Sequence, residues 1–238
     1  MSFRLECKKG KRTGLAPGFL FGGLLAAAFP VVNMAVRSEV FVSRPGAPVE
    51  ILLGENWQMI AMLNVLFVAA GSCLMYHQEF ANNAMQKMNT LPIRGSALYR
   101  GKCGLLCLLL GMALFLEGTA VGLCVIYWFP AGNEFWLTLG KYLGFSYLLT
   151  LPCVFLSLLI SSVCQNMWVS LGIGVVCIFT ATILPSENFA LSLFPYALPF
   201  RLLFETARPE RYLWAAPIEV GILLLSEAVI VRIRRTLE

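Results

Sequence analysis

From Leu15 to Val36 the chain carries no charged side chain, and five more apolar runs follow: Trp57 to Tyr76, Cys103 to Phe129, Leu139 to Val163, Met167 to Leu184 and Ala215 to Val231. At a rise of 1.5 Å per residue, a helix of about 20 residues crosses a hydrocarbon core of about 30 Å. In lipid every backbone N–H and C=O must find its partner within the protein, which leaves only helices and closed barrels. The ten-residue alternation of barrel strands is missing, so each run is expected to be a helix. Composition agrees, since 13% of residues are charged and mean hydropathy is +0.76, whereas soluble domains carry roughly 25% charge. The expected fold class is an all-α polytopic membrane protein with six transmembrane helices.

The same residues exclude several chemistries. All 13 acidic residues are glutamate, so paired-aspartate sites are absent. The single histidine, His77, rules out a bis-histidine haem and a zinc protease helix with two histidines, and reads as an interfacial anchor beside Tyr76. Of the eight cysteines, Cys7 lies in the basic N-terminal arm and the other seven lie within or at the ends of apolar runs, where no extracellular disulfide framework is expected. Cys103 and Cys107 stand one helical turn apart, too few ligands for a closed zinc site. No nucleophile, base and metal set emerges for an intramembrane enzyme, and the chain is expected not to be an enzyme.

Charge orients the helices. The arm before the first run holds Arg4, Lys8, Lys9, Lys11 and Arg12, which imitates a signal peptide. The run that follows is too long for one and has no cleavage site before a soluble domain. With six crossings both termini share a side with Lys87, Arg94, Arg100, Lys102, Arg232, Arg234 and Arg235, leaving Arg37, Arg44, Lys141, Arg201, Arg208 and Arg211 opposite. The positive-inside rule then puts both termini in the cytoplasm of a cell membrane protein. A seventh crossing through Phe189–Phe204 would carry the Arg232 to Arg235 cluster outside. That stretch holds Pro195 and Pro199, so residues 186–212 are expected to form outer-face helices or a re-entrant hairpin. The outer connection Arg37–Asn56, with Pro45, Gly46 and Pro48, reads as an ordinary loop.

The inner connection, residues 78–101, says more. Phe80, Ala84, Met88 and Leu91 recur at helical spacing on an otherwise polar stretch that starts at Glu79, and Pro92 stops it before a basic return through Arg94, Arg100 and Lys102. An amphipathic helix on the inner face is expected. It could rest on anionic lipid or, with the adaptable Met85 and Met88 beside Lys87, fill a groove in another protein.

A basic arm, six spans, a glutamate opening the inner loop, then Leu91-Pro92-Ile93 and Tyr99-Arg100-Gly101-Lys102 entering the third span together resemble the permease subunit of ABC-2 type exporters. The likeness runs the length of the chain, as one domain over residues 1–238, and within the family it is nearest the permeases of lantibiotic immunity and antimicrobial-peptide resistance. The resemblance implies that residues 1–14 are a cytoplasmic connector arm. It implies too that the inner helix is a coupling helix seated on a separate ATPase, with Glu79, Phe80, Ala84, Met85, Lys87, Met88, Leu91, Pro92 and Arg94 as contact residues. The chain has no phosphate-binding loop: Leu139-Gly140-Lys141-Tyr142 lacks the first glycine and the magnesium-binding hydroxyl. No cofactor is expected in this chain. ATP and magnesium would be bound by the partner ATPase, present in two copies, and a second permease, identical or sister, would complete the path. The other partner is the lipid membrane, and no nucleic acid is expected.

Three glutamates lie within spans. Glu117, near the middle of the third, is the substrate-path candidate, because an ionisable group at membrane depth is costly unless it faces a partner or an aqueous route. Glu219 and Glu227 lie in the last span, where Glu227 could reach Arg232 or Arg234. Steps of GxxxG at Gly18/Gly22, Gly118/Gly122 and Gly140/Gly144 permit close helix approach within or between subunits. The seven outer glutamates, Glu39, Glu50, Glu55, Glu134, Glu187, Glu205 and Glu210, nearly balance the outer cations and could attract a cationic peptide. The alternative function is an ion-coupled secondary transporter, or a substrate-binding membrane component, that works through Glu117.

Overall fold

The computed structural model describes residues 6–10, 14–80, 95–130, 132, 134–184 and 188–237, with side chains placed for all of these except 95–97 and 234–237. Six long helices follow one another: α1 Leu15–Val42, α2 Pro48–Phe80, α3 Gly95–Trp128, α4 Phe135–Val163, α5 Met167–Ile183 and α6 Pro209–Leu237. The described residues contain no strand. Five of the six, all but α5, are long and apolar enough to cross a membrane. The fifth has 17 residues, about 25 Å of helix, so the six-span expectation meets five full-length helices and one shorter apolar one.

Before α1 the arm forms a helical turn over residues 6–10. Gly14 then takes φ 69°, a left-handed conformation that costs glycine little, and redirects the chain into α1. Pro30 is accommodated within α1, whose backbone instead departs from helical geometry at Arg37, φ −132° and ψ 30°. That is the first charge after the apolar run. Helix resumes as far as Val42, and α2 begins at Pro48, where a fixed φ and missing N–H suit the first helical position. The expected loop Arg37–Asn56 is therefore corrected to the short connection 43–47. Similarly, α2 continues through Phe80 and α3 begins at Gly95, so the connection expected over 78–101 narrows to 81–94. Glu79 ends α2 and does not start an inner helix. The expected basic return through Arg100 and Lys102 is the first turns of α3.

Packing centres on α2, α3 and α4. The first helix lies against α2 and α3, α5 chiefly against α2, and α6 chiefly against α4. A β-carbon at Gly23 would sit 3.0 Å from Cα of Ala113, so α1 and α3 approach to backbone contact. Of the sequence-marked glycines, Gly22 meets the Phe67 ring, Gly118 meets Leu143 and Gly122 meets Trp136, whereas Gly140 and Gly144 have nothing within 4 Å. The Gly118/Gly122 step and Gly22 thus serve packing inside the bundle, whereas Gly18, like the third step on α4, has nothing within 4 Å. Outward faces of α1, α5 and α6 expose Phe21, Trp168, Ile183, Trp214 and Leu225, the surface a lipid solvent requires.

Four buried polar residues are spaced along α2, and each reaches a different part of the bundle. Asn56 accepts from Asn33 of α1 at 3.0 Å, Asn64 donates to Glu117 of α3 at 3.0 Å, Ser72 accepts from Ser161 of α4 at 3.1 Å, and Glu79 pairs with Lys102 of α3 at 2.8 Å. Between α5 and α6 the chain makes one helical turn, Phe189–Ser192, and a 3-10 turn, Leu198–Phe200. This segment folds back onto the bundle: Tyr196 and Leu198 are buried, the Pro199 carbonyl accepts from Trp57 Nε1 at 2.9 Å, and the Tyr196 hydroxyl bonds Ser157 at 2.8 Å. Among the described residues of 186–212 these turns, and the first residues of α6, stand where outer-face helices were expected.

Candidate functional site

Lys102 lies in the second turn of α3 and is 1% exposed. A lysine ammonium in that position is tolerable only with anionic partners, and it has two: Glu79 Oε1 at 2.8 Å and Glu6 Oε2 at 3.0 Å. It also donates to the Met75 carbonyl at 3.2 Å and stands 5.1 Å from the centroid of the Tyr76 ring. Lys9 closes the group from its rim, with Nζ 3.3 Å from both Glu6 Oε1 and Glu79 Oε1. Burial alone would lower the Lys9 pKa, but the charges of Glu6 and Glu79 and their hydrogen bonds outweigh it, and the value is raised. Two carboxylates and two ammonium groups thus form a neutral clasp drawn from three segments: the arm, the last turn of α2 and the first turns of α3.

The helix ends joined by this clasp are those that bracket residues 81–94. Phe80 stacks on Tyr76 with centroids 6.2 Å apart and packs against the core. Of the expected coupling residues, the structure places Glu79 and Phe80 in this clasp region. Ala84, Met85, Lys87, Met88, Leu91, Pro92 and Arg94 lie outside the described residues. Sequence reasoning counted Lys9 only as an inner charge, read Lys102 as an inner charge and as part of the motif entering the third span, and passed over Glu6. The available signals were the Glu6–Lys9 spacing of three and a lysine next to an apolar run, which has to find a counter-ion.

About two-thirds of the way along α3, Glu117 is 1% exposed. Its Oε2 accepts from Asn64 Nδ2 at 3.0 Å, while Oε1 is buried without a hydrogen-bond partner among the described residues. No described cation forms a salt bridge with it. The structure brings Glu117 together with Asn64 and does not bring it near the clasp. In α6, Glu219 Oε2 and Glu227 Oε1 are also buried without hydrogen-bond partners among the described residues. Arg100 of α3 lies within electrostatic range of Glu227, a neighbour that the expected reach toward Arg232 or Arg234 did not include.

The arrangement holds charges in fixed pairs and supplies no reacting group. It joins two long helices and the arm at one end and links the same two helices again through Asn64 and Glu117. The family model described as "ABC-2 family transporter protein" matches residues 2–181, a stretch that includes the arm, the clasp and Glu117. No curated protein and no solved structure matches the chain.

Proposed function

The chain belongs to the ABC-2 transporter family, and from that premise we propose that it is the permease subunit of an ATP-driven exporter whose inner α2–α3 connection is gripped by a separate ATPase. It is a multi-pass membrane component of a transporter. The proposal adds the mechanics. Nucleotide-driven movement of two ATPase copies pushes residues 81–94, with Phe80, Met85, Met88 and Leu91 as the apolar contacts and Lys87 and Arg94 as the flanking cations. The observation that carries this is the buried clasp Glu6–Lys9–Glu79–Lys102, which leaves little slack between that connection and the two helices it joins. In this reading the arm is the cytoplasmic connector, both termini are cytoplasmic, and a second permease, identical or sister, completes the path. The cargo is an amphipathic or lipid-like molecule, with antimicrobial peptides of the lantibiotic kind the leading class.

The test is a pair of substitutions, Met88→Glu and Leu91→Glu, introduced together. The variant should still insert in the membrane and elute as a folded protein, yet lose co-purification with the ATPase and stimulation of its ATP turnover. Retained co-purification and wild-type turnover would remove the coupling role from this segment.

A further inference from the structure

At the end of the bundle away from the clasp lies a cavity of about 810 Å³, within the usual size of small-ligand sites, roughly 300–1,000 Å³. Its walls come from the first turns of α2, the end of α5, the folded-back segment and the start of α6. Three arginines line it, Arg201, Arg208 and Arg211, against one described carboxylate, Glu205. None of the three forms a salt bridge among the described residues. Nε of Arg201 is buried and has no hydrogen-bond partner, and Arg211 lies over the Phe189 ring, 5.7 Å from its centroid. An orphaned guanidinium donor beside two further cations asks for an acceptor-rich anion, and guanidinium forks match phosphate oxygens. The expected attraction of the outer face for a cationic peptide does not extend to this cavity, whose own charge is opposite.

The remaining walls mix the polar side chains of Gln58, Thr182 and Thr206 with apolar and aromatic ones. Trp57, Leu184, Phe200 and Tyr212 share the lining with the arginines, and a free inorganic anion would leave them without a partner. α5 packs chiefly on α2 and α6 chiefly on α4, with no substantial contact between α5 and α6 among the described residues. On these two helices, next in sequence to the lining residues Thr182 and Leu184 and two positions after Tyr212, Ile183 is 81% and Trp214 74% exposed, so an acyl chain leaving the cavity there would lie on apolar surface.

We propose that this cavity is a binding site for an anionic phospholipid, its phosphate held by Arg201, Arg208 and Arg211 and its chains leaving between α5 and α6. The binding does not depend on the ATPase partnership; only the leaflet that supplies the lipid rests on the membrane orientation proposed above. The probe is a fluorescent short-chain phosphatidylglycerol bound to the full chain in an uncharged detergent. Unlabelled phosphatidylglycerol should displace it, phosphatidylcholine of equal chain length should not, and affinity should fall as salt is added. Arg201→Gln with Arg208→Gln should weaken binding at least about tenfold, Arg201→Lys with Arg208→Lys should recover part of it, and Lys141→Gln should bind as wild type. Equal displacement by phosphatidylcholine, or unchanged binding by the glutamine pair, overturns the proposal. Displacement by inorganic phosphate at equal potency assigns a free-anion site and overturns the lipid, as does displacement by a cationic peptide that binds in the lipid's place. Should the glutamine pair fail to elute as a folded protein, the wild-type competition and the lysine pair decide the question.

Discussion

Lys102 is the residue whose loss should be felt most. Its ammonium is nearly sealed from solvent between Glu6 and Glu79, and removing one member of a buried ion pair strands the others in a medium that solvates them poorly. Lys102→Met is expected to cost about 3–5 kcal/mol, read as a lower midpoint in detergent unfolding. Adding Glu6→Gln and Glu79→Gln to that variant should restore most of the loss, since an apolar or neutral replacement of a whole buried cluster is far cheaper than a broken one. A triple variant no more stable than the single would show that the carboxylates are held by something other than Lys102. The sequence made part of this legible. Glu79 and Lys102 both stood out as polar residues bordering apolar runs, but they are separated by 23 positions and joined by a connection of unknown path. Local spacing could not say that they touch, and Glu6 sits 96 residues from the lysine it meets.

At the scale of elements, length and apolarity were sufficient to identify all six long helices, because a spanning helix satisfies its own backbone and needs little from its neighbours. Ends were harder. The runs stop where charge begins, whereas α1, α2 and α3 extend past that limit to Val42, Phe80 and back to Gly95, since helical hydrogen bonding continues in water wherever polar side chains find partners. The three GxxxG steps looked alike in sequence and differ in the fold. Gly122→Leu must push its side chain into Trp136, and Gly144→Leu meets no neighbour. The first is expected to destabilise by about 1–3 kcal/mol through overpacking and the second by less than about 0.5 kcal/mol, compared by thermal unfolding in the same detergent. Equal losses at the two positions would mean that α4 is packed on that side in solution as well.

For the whole molecule, the arm, α1, α2 and α3 form one tied unit, with α4 packed against its centre, while α5 and α6 lie at the edge, each leaning chiefly on one helix. Movement of the tied unit must carry the Asn64–Glu117 link with it or break it. Glu117→Gln keeps an acceptor for Asn64 and removes the ionisable group, so, if the chain works as the proposed exporter subunit, the complex should assemble and hydrolyse ATP while export falls. Wild-type export across the pH range would leave Glu117 as packing alone. That the chain is a membrane protein built from apolar helices was determined by sequence, because hydropathy and backbone hydrogen bonding act over one run at a time. Which charges pair, which glycines are already used, and that the far end holds a cationic cavity were decided only by tertiary structure, because each depends on side chains brought together from segments tens of residues apart.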